Sequence, residues 1–158
     1  MRTRIISAFP GTGKSYYCDL HPNNTLDSDS SHFSWLSKKD NIRNPAFPDN
    51  YIKHIRENIG KYEFIFVSTH KVVREALLNN CIHFYLIYPN EEWKDLYLKR
   101  FKERGSSQEF IDLLDKNWDA WIRECEFTEY GCTNIHMVFP FLEKEINHII
   151  YSENGDEL

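Results

Sequence analysis

A single stretch near the start of the chain constrains its fold more than any other. Ala8-Phe9-Pro10-Gly11-Thr12-Gly13-Lys14-Ser15 follows the apolar pair Ile5-Ile6 with only Ser7 between. A glycine-rich turn between a short strand and the helix it opens has the form of a phosphate-binding loop. Gly11 and Gly13 let the backbone curl so that successive N–H groups point inward at anionic oxygens. Lys14 adds a mobile positive charge for β- and γ-phosphates, and the Ser15 hydroxyl can hold Mg²⁺. The helix that begins here presents the positive end of its dipole to the same anion. The segment from Pro10 and Thr12 through Tyr16 is therefore expected to hold a nucleoside triphosphate, ATP with Mg²⁺. The general pattern opens with glycine, whereas this chain has Ala8. The substitution is tolerable provided Ala8 needs no positive φ.

With 158 residues, the chain falls in the size range of one domain. The expected division is a domain over residues 1–151 followed by a polar tail, 152–158. A net charge of −5 argues against a general polyanion-binding surface, so nucleic acid is not the expected partner, although a local basic cleft is compatible with it. No stretch reaches the length of a membrane span, and the N-terminus reads as a strand rather than a signal peptide. The cytoplasm is the expected location. Cys18, Cys81, Cys125 and Cys132 match no paired zinc spacing and are expected to be reduced thiols. A zinc site on Cys125, Cys132 and His136 is a weak alternative.

The remaining chain alternates strand-like and helix-like segments, as an α/β sandwich around a parallel sheet requires. The first strand covers Arg4 to Ala8, and a helix runs from Lys14 toward Leu20. A weak second strand covers Thr25 to Ser28, and a polar stretch follows from Asp29 to Asp49. A helix from about Asn50 places Tyr51, Ile52, Ile55 and Ile59 on one face and stops at Gly60. Phe64-Ile65-Phe66-Val67 reads as a strand buried on both sides. A helix through Val72 and Leu77 leads to a strand from His83 to Tyr88. Asn90 caps the next helix, which ends at Gly105, and Ser106 to Glu109 has the form of a capping box for another. Phe110, Leu114, Trp118, Trp121 and Ile122 give that helix its apolar stripe, which assigns both tryptophans to the core. A last strand is expected over Ile135 to Phe139, then a helix through Leu142, Ile146 and Ile150.

This succession of five strands, the first ending in the glycine-rich loop, resembles the P-loop kinases of small substrates. These comprise the nucleoside and nucleotide kinases and their shikimate- and gluconate-kinase relatives. The resemblance implies a three-layer sandwich with a five-stranded, mostly parallel sheet, helices on both faces and a small helical lid. It also implies transfer of the ATP γ-phosphoryl group with Mg²⁺ to a small acceptor, a nucleoside monophosphate or similar molecule. The acceptor would bind over about residues 29–60, and the lid would span about 94–110. A hydroxyl acceptor on a nucleoside, sugar or polynucleotide end is the related alternative. A nucleotide-binding module without turnover is the alternative from another class.

Two features match that pattern in position. Asp27-Ser28-Asp29 stands at the end of the second strand, where a carboxylate can hold metal-bound water or take a proton from an attacking hydroxyl. Asp27 and Asp29 are thus candidate metal groups with Ser15, and Asp29 is a candidate catalytic residue beside Lys14. An ordinary Asp- and Ser-rich turn has the same composition. Lys94, Lys99, Arg100, Lys102 and Arg104 run into the Gly105 break, where Arg100 and Arg104, one helical turn apart, could close over the phosphates. A solvated helix face has the same appearance.

The sequence departs from the pattern after the third sheet strand. Many phosphate-loop proteins place an acid there, and this chain reads Ser68-Thr69-His70. Ser68 could polarise a metal-bound water, Thr69 is expected to cap a helix, and His70 is expected to be bland. In the long polar stretch, His32, Phe33, Trp35 and Arg43 could stack on and neutralise an acceptor, or simply pack the loop.

Overall fold

The computed structural model describes residues 1–128 and 130–155. The strands are β1 (Arg4–Ala8), β2 (Thr25–Asp27), β3 (Trp35–Ser37), β4 (Ile42–Arg43), β5 (Phe64–Val67), β6 (Phe84–Tyr88) and β7 (Cys132–His136). The helices are α1 (Lys14–Leu20), α2 (Ser31–Ser34), α3 (Asp49–Asn58), α4 (Lys71–Asn79), α5 (Lys94–Glu103), α6 (Gln108–Glu126) and α7 (Leu142–Gly155), with a 3₁₀ turn at Glu91–Trp93. Five strands form one sheet in the order β2-β5-β1-β6-β7, and β3 and β4 form a separate hairpin. Every pairing in the large sheet is parallel. The chain therefore has the α/β sandwich expected from its alternating pattern.

The central strands are apolar on both faces, and their period of two sorts side chains into two cores. Ile5, Ile65, Val67, Phe84 and Leu86 face α3, α4, α5 and α6, meeting Tyr51, Ile55, Leu77, Phe101, Leu114 and Trp118. Ile6, Ala8, Phe64, Phe66 and Ile87 face α1 and α7, meeting Tyr17, Leu142 and Ile146. Helices thus cover both faces of the sheet, and β1 lies at its centre. The glycine-rich loop emerges from the C-terminal edge of that strand, where α/β sheets collect ligands.

Several local expectations shift. The last strand ends at His136 rather than Phe139. Met137 still donates its N–H to the Tyr88 carbonyl, but Val138 and Phe139 turn theirs to the Glu145 carboxylate at 2.6 and 2.7 Å. A buried acid on the following helix has replaced the neighbouring strand as hydrogen-bond partner. The capping box at Ser106 does not form. Ser107 is the N-cap instead, accepting from the Phe110 N–H at 3.3 Å. Trp118 is fully buried as expected, whereas Trp121 is only partly buried at the edge of the same core.

The polar stretch from Asp29 contains structure that its composition conceals. After α2, the β3–β4 hairpin turns through Ser37 and Asp40, whose side chains bond at 2.6 Å, and Asn41 takes a left-handed φ of 56°. The polar tail expected from Ser152 begins inside α7. There Glu153 accepts from the Arg4 guanidinium at 2.7 Å and from the Tyr85 hydroxyl. Residues 156–158 lie outside the described residues.

Candidate functional site

Ala8 is fully buried, ends β1, and is not among the residues with positive φ. The first position of the loop therefore needs no glycine. Gly11 and Gly13 do require their type, with φ of 82° and 106°. Gly11 has a second reason to be glycine: a Cβ there would meet Phe101 at 2.8 Å and Tyr97 at 3.1 Å. At Gly13 the corresponding space is open. Thr12 is buried and ties the turn together, its hydroxyl donating to the Phe9 carbonyl at 2.8 Å and its own carbonyl accepting from Leu142 N–H.

Lys14 folds back over the loop and donates to the Ala8 carbonyl at 2.8 Å. Burial of the ammonium group pushes its pKa down to about 8, against the opposing pull of Asp27 and Asp29. The charge of Arg104 also bears on it. Ser15 donates to the Asp27 carboxylate at 2.9 Å. The hydroxyl and carboxylate expected to share a cation are thus in contact, one from the loop's end and one from the end of β2.

Asp29 sits two residues further on. Partial burial opposes its ionisation, but hydrogen bonds from the Ser31 backbone and side chain, with the charges of His32 and Lys38, hold its carboxyl below the usual value. Its Oδ1 accepts from the Ser31 N–H at 2.8 Å, which makes it both the opener of α2 and a carboxylate near Lys14.

Arg100, expected in the lid, is tied to the glycine-rich loop and to the turn after β7. It donates to the Gly11 carbonyl at 3.1 Å and to the Pro140 carbonyl, and its guanidinium lies 4.8 Å from the Tyr97 ring and 4.4 Å from that of Phe141. These contacts join the glycine-rich loop to the turn after β7. Arg104 is exposed, over the Phe101 ring at 5.1 Å. Lys94 pairs with Asp115 at 2.7 Å and Lys99 with Glu103 at 3.8 Å, the solvated-face arrangement. Of the two lid arginines expected, Arg104 is the one whose charge bears on Lys14. Tyr16, placed in the nucleotide site by sequence adjacency, is 63% exposed on the outer side of α1.

The segment without an acid after β5 has a hydroxyl cluster in its place. Ser30 donates to Ser68 Oγ at 3.3 Å, and Ser7 donates to the Ser68 carbonyl at 3.0 Å. Thr69 is not a helix cap. The N-cap of α4 is His70, and the Thr69 carbonyl accepts from Arg74 Nε at 2.8 Å. His70, expected to be bland, lies where the charges of Lys14, Asp29, Arg43 and Arg74 act on it, and desolvation lowers its pKa. Sequence could not place it there, because Lys14, Asp29 and Arg43 come from three other segments of the chain. Arg43 stacks on Trp35 at 3.5 Å across the hairpin, while Phe33 packs on Tyr51 and His54 as loop filling.

A further feature escaped the sequence reading. The turn after β7 carries Val138, Phe139 and Phe141 to the surface beside the glycine-rich loop, 71, 38 and 56% exposed. The bond from Leu142 to Thr12 and the Arg100 bridge fix it there. All four cysteines are free thiols, and no group of three or more potential metal-ligating His, Cys, Asp or Glu side chains occurs among the described residues, so the zinc alternative falls. Nor is any helix among them long and apolar enough to cross a membrane.

No protein-family model matches the chain, and no curated protein matches it. Among solved structures, the tunicamycin resistance protein of Deinococcus radiodurans superposes over 98% of this chain and 96% of its own, with a TM-score of 0.62 and 14% identity. An uncharacterized protein from Eubacterium ventriosum covers 98% of this chain at 15% identity, with a TM-score of 0.46. The first of these likenesses is one of fold, and it agrees with the element order and sheet topology: the chain has an α/β sandwich around a five-stranded parallel sheet.

Proposed function

We propose that this protein is an ATP-dependent phosphotransferase that moves the γ-phosphoryl group to a small acceptor. The observation that carries the reading is the contact between Ser15 and Asp27 directly beside Lys14 at the mouth of the loop. Mg²⁺ takes one or two protein oxygens and otherwise keeps waters and phosphate oxygens, so a hydroxyl and a carboxylate at this place suit it. The loop N–H groups and Lys14 would bind the β- and γ-phosphates, with Lys14 released from the Ala8 carbonyl to do so. Arg104 would add positive charge where it accumulates on the transferring oxygens. The exposed apolar turn at Val138–Phe141 offers a surface for the nucleoside end of ATP.

Nucleotide-kinase chemistry with a nucleoside monophosphate is one acceptor reading. A hydroxyl acceptor is favoured by a specific observation: Asp29 and His70 both lie within electrostatic reach of Lys14. A hydroxyl attacker gains from a nearby base, whereas a phosphate oxygen is already ionised. In the hydroxyl reading Asp29 accepts the proton, and the lowered pKa of His70 keeps it neutral beside the cations.

The test is ADP release with Mg²⁺ against a panel of nucleosides, nucleoside monophosphates and a 5′-hydroxyl oligonucleotide. The expected result is release that depends on one acceptor class and disappears in Lys14→Ala. Asp29→Asn should then lower kcat by about 100-fold or more while leaving ATP affinity close to wild type. ATP binding without stimulation by any acceptor would favour the non-catalytic nucleotide-binding module.

A further inference from the structure

Contacts from α5 and from the turn after β7 converge on two successive peptides of the glycine-rich loop. Phe9-Pro10-Gly11-Thr12 has the residue pattern of a type II turn. Pro10 holds its second position, Gly11 takes a φ of 82° at the third, and the Thr12 N–H returns to the Phe9 carbonyl at 3.3 Å. The peptide leaving this turn, between Gly11 and Thr12, is held on both sides. Its N–H closes the turn, and its carbonyl accepts from Arg100 Nη1 at 3.1 Å. The next peptide is tied as well, since the Thr12 carbonyl accepts from the Leu142 N–H at 3.1 Å. A trans peptide directs its N–H opposite to its carbonyl, so this bond fixes the direction of the Gly13 N–H, one of the donors a phosphate would use.

Arg100 serves both sides of this junction. Its Nη2 donates to the Pro140 carbonyl at 2.5 Å, between the exposed rings of Phe139 and Phe141. The guanidinium also lies 4.8 Å from the Tyr97 ring and 4.4 Å from that of Phe141. Tyr97 is fully buried and, with Phe101, fills the space where a Cβ on Gly11 would stand. Helix α5 therefore packs on the loop at the same residue that Arg100 holds by its carbonyl. A planar guanidinium fork can reach two carbonyls from separate segments at once, whereas an ammonium group is a compact point charge without that span.

We propose that Arg100 is a positioning residue for nucleotide binding. Through the Gly11 and Pro140 carbonyls it holds the glycine-rich loop and the aromatic turn together, so that the triphosphate and the nucleoside of one ligand are bound as a unit. The proposal rests on the phosphotransferase reading for the identity of that ligand. It gives the two arginines of α5 and its end different parts: Arg104 supplies charge, and Arg100 acts through Gly11 without touching the phosphates. A direct phosphate contact by Arg100 is the competing arrangement, and the two differ in whether lysine can substitute. An ammonium group serves as a point charge on phosphate, but it does not bridge the two carbonyls.

The test compares Arg100→Lys and Arg100→Met with the wild type in calorimetric titrations of MgATP and of magnesium tripolyphosphate, which carries no nucleoside. Circular dichroism sets a temperature at which the proteins compared are folded. Arg100→Lys keeps the charge and an aliphatic stem, so it serves alone if the methionine variant does not fold. Both variants should bind tripolyphosphate about tenfold more weakly, the scale of one lost charge-assisted hydrogen bond, and should lose a further factor of about three with ATP. In the ligand-free protein, amide hydrogen exchange over residues 8–15 and 138–142 should quicken together in both variants. A lysine variant that binds both ligands like the wild type overturns the proposal. So does a loss equal for ATP and tripolyphosphate, or exchange that quickens in one segment alone or in neither. Any of these results, obtained while the wild type binds MgATP and Lys14→Ala does not, removes the role of Arg100 and leaves the phosphotransferase reading standing. A wild type that binds neither ligand removes that reading and this proposal with it.

Discussion

Lys14 is the residue on which charge, geometry and chemistry meet. Its pKa of about 8 means that the free protein loses the ammonium charge just above neutrality. Phosphate binding needs that charge, so ATP affinity should fall as pH rises through about 8, approaching tenfold per pH unit beyond it. Titrations at pH 6.5, 7.5, 8.5 and 9.5 check this, with Lys14→Met expected to show a weak and nearly flat profile. The same linkage has the opposite sign for the empty protein. Between about 8 and the ordinary lysine value of 10.5 the unfolded chain binds more protons, so stability rises with pH across that window. Gly11→Ala combines a left-handed φ with a collision against Phe101 and Tyr97. It should cost about 2–4 kcal/mol in chemical denaturation, as strain and overpacking add. At this scale the sequence was legible where one backbone segment makes the feature, as in the loop from Ala8 to Ser15. It was illegible where side chains from distant segments meet. Arg100 and Arg104 look alike in sequence, and only the packing of α5 against the loop sends the first to the Gly11 carbonyl and leaves the second exposed.

The turn between β7 and α7 shows how an element boundary is set by one side chain. Glu145 is 3% exposed and accepts from both Val138 and Phe139 N–H through a single oxygen, Oε1. Glu145→Ala removes the shared acceptor of two backbone N–H groups and leaves a void where its buried side chain stood, and should destabilise the protein by about 1–3 kcal/mol. Glu145→Gln retains an acceptor oxygen at the same place and should cost distinctly less. Thermal denaturation of the two variants side by side checks the order. Because this turn is fastened to Thr12 and, through Arg100, to Gly11, the alanine variant should also weaken ATP binding. The strand's true end could not be read from Ile135 to Phe139, whose alternation of apolar side chains continues past the point where its hydrogen bonds leave the sheet. The β3–β4 hairpin was hidden for a different reason. It rests on a Ser37–Asp40 turn and the Arg43–Trp35 stack rather than on a buried apolar face.

Over the whole molecule, the fold follows from a simple division. Continuous apolar strands must be covered on both faces, and parallel strands must be joined by crossovers long enough to hold helices. That requirement is visible in Phe64–Val67 and Phe84–Tyr88, which is why the sandwich was legible without knowledge of any contact. The closure of the N-terminal edge of the sheet was not. There Glu153, near the end of α7, joins Arg4 of β1 and Tyr85 of β6, drawing the last helix onto the sheet. Partial burial opposes ionisation of Glu153, but bonds from Tyr85 and Arg4 outweigh it and hold its pKa below the ordinary 4.5. Its contribution is therefore present above about 4.5 and lost as pH falls below that value. Glu153→Gln should lower stability at neutral pH and flatten its acid dependence, as followed by denaturant midpoints between pH 3 and 7.

The most direct measurement is calorimetric titration of MgATP into the wild type, Lys14→Ala and Asp27→Asn. A phosphate loop with a cation held between Ser15 and Asp27 requires three results together: wild-type binding strengthened by Mg²⁺, binding in Lys14→Ala weakened at least tenfold, and loss of most of the Mg²⁺ effect in Asp27→Asn. Absence of MgATP binding by the wild type, or equal binding by Lys14→Ala, would contradict the assignment of this loop to a nucleoside triphosphate.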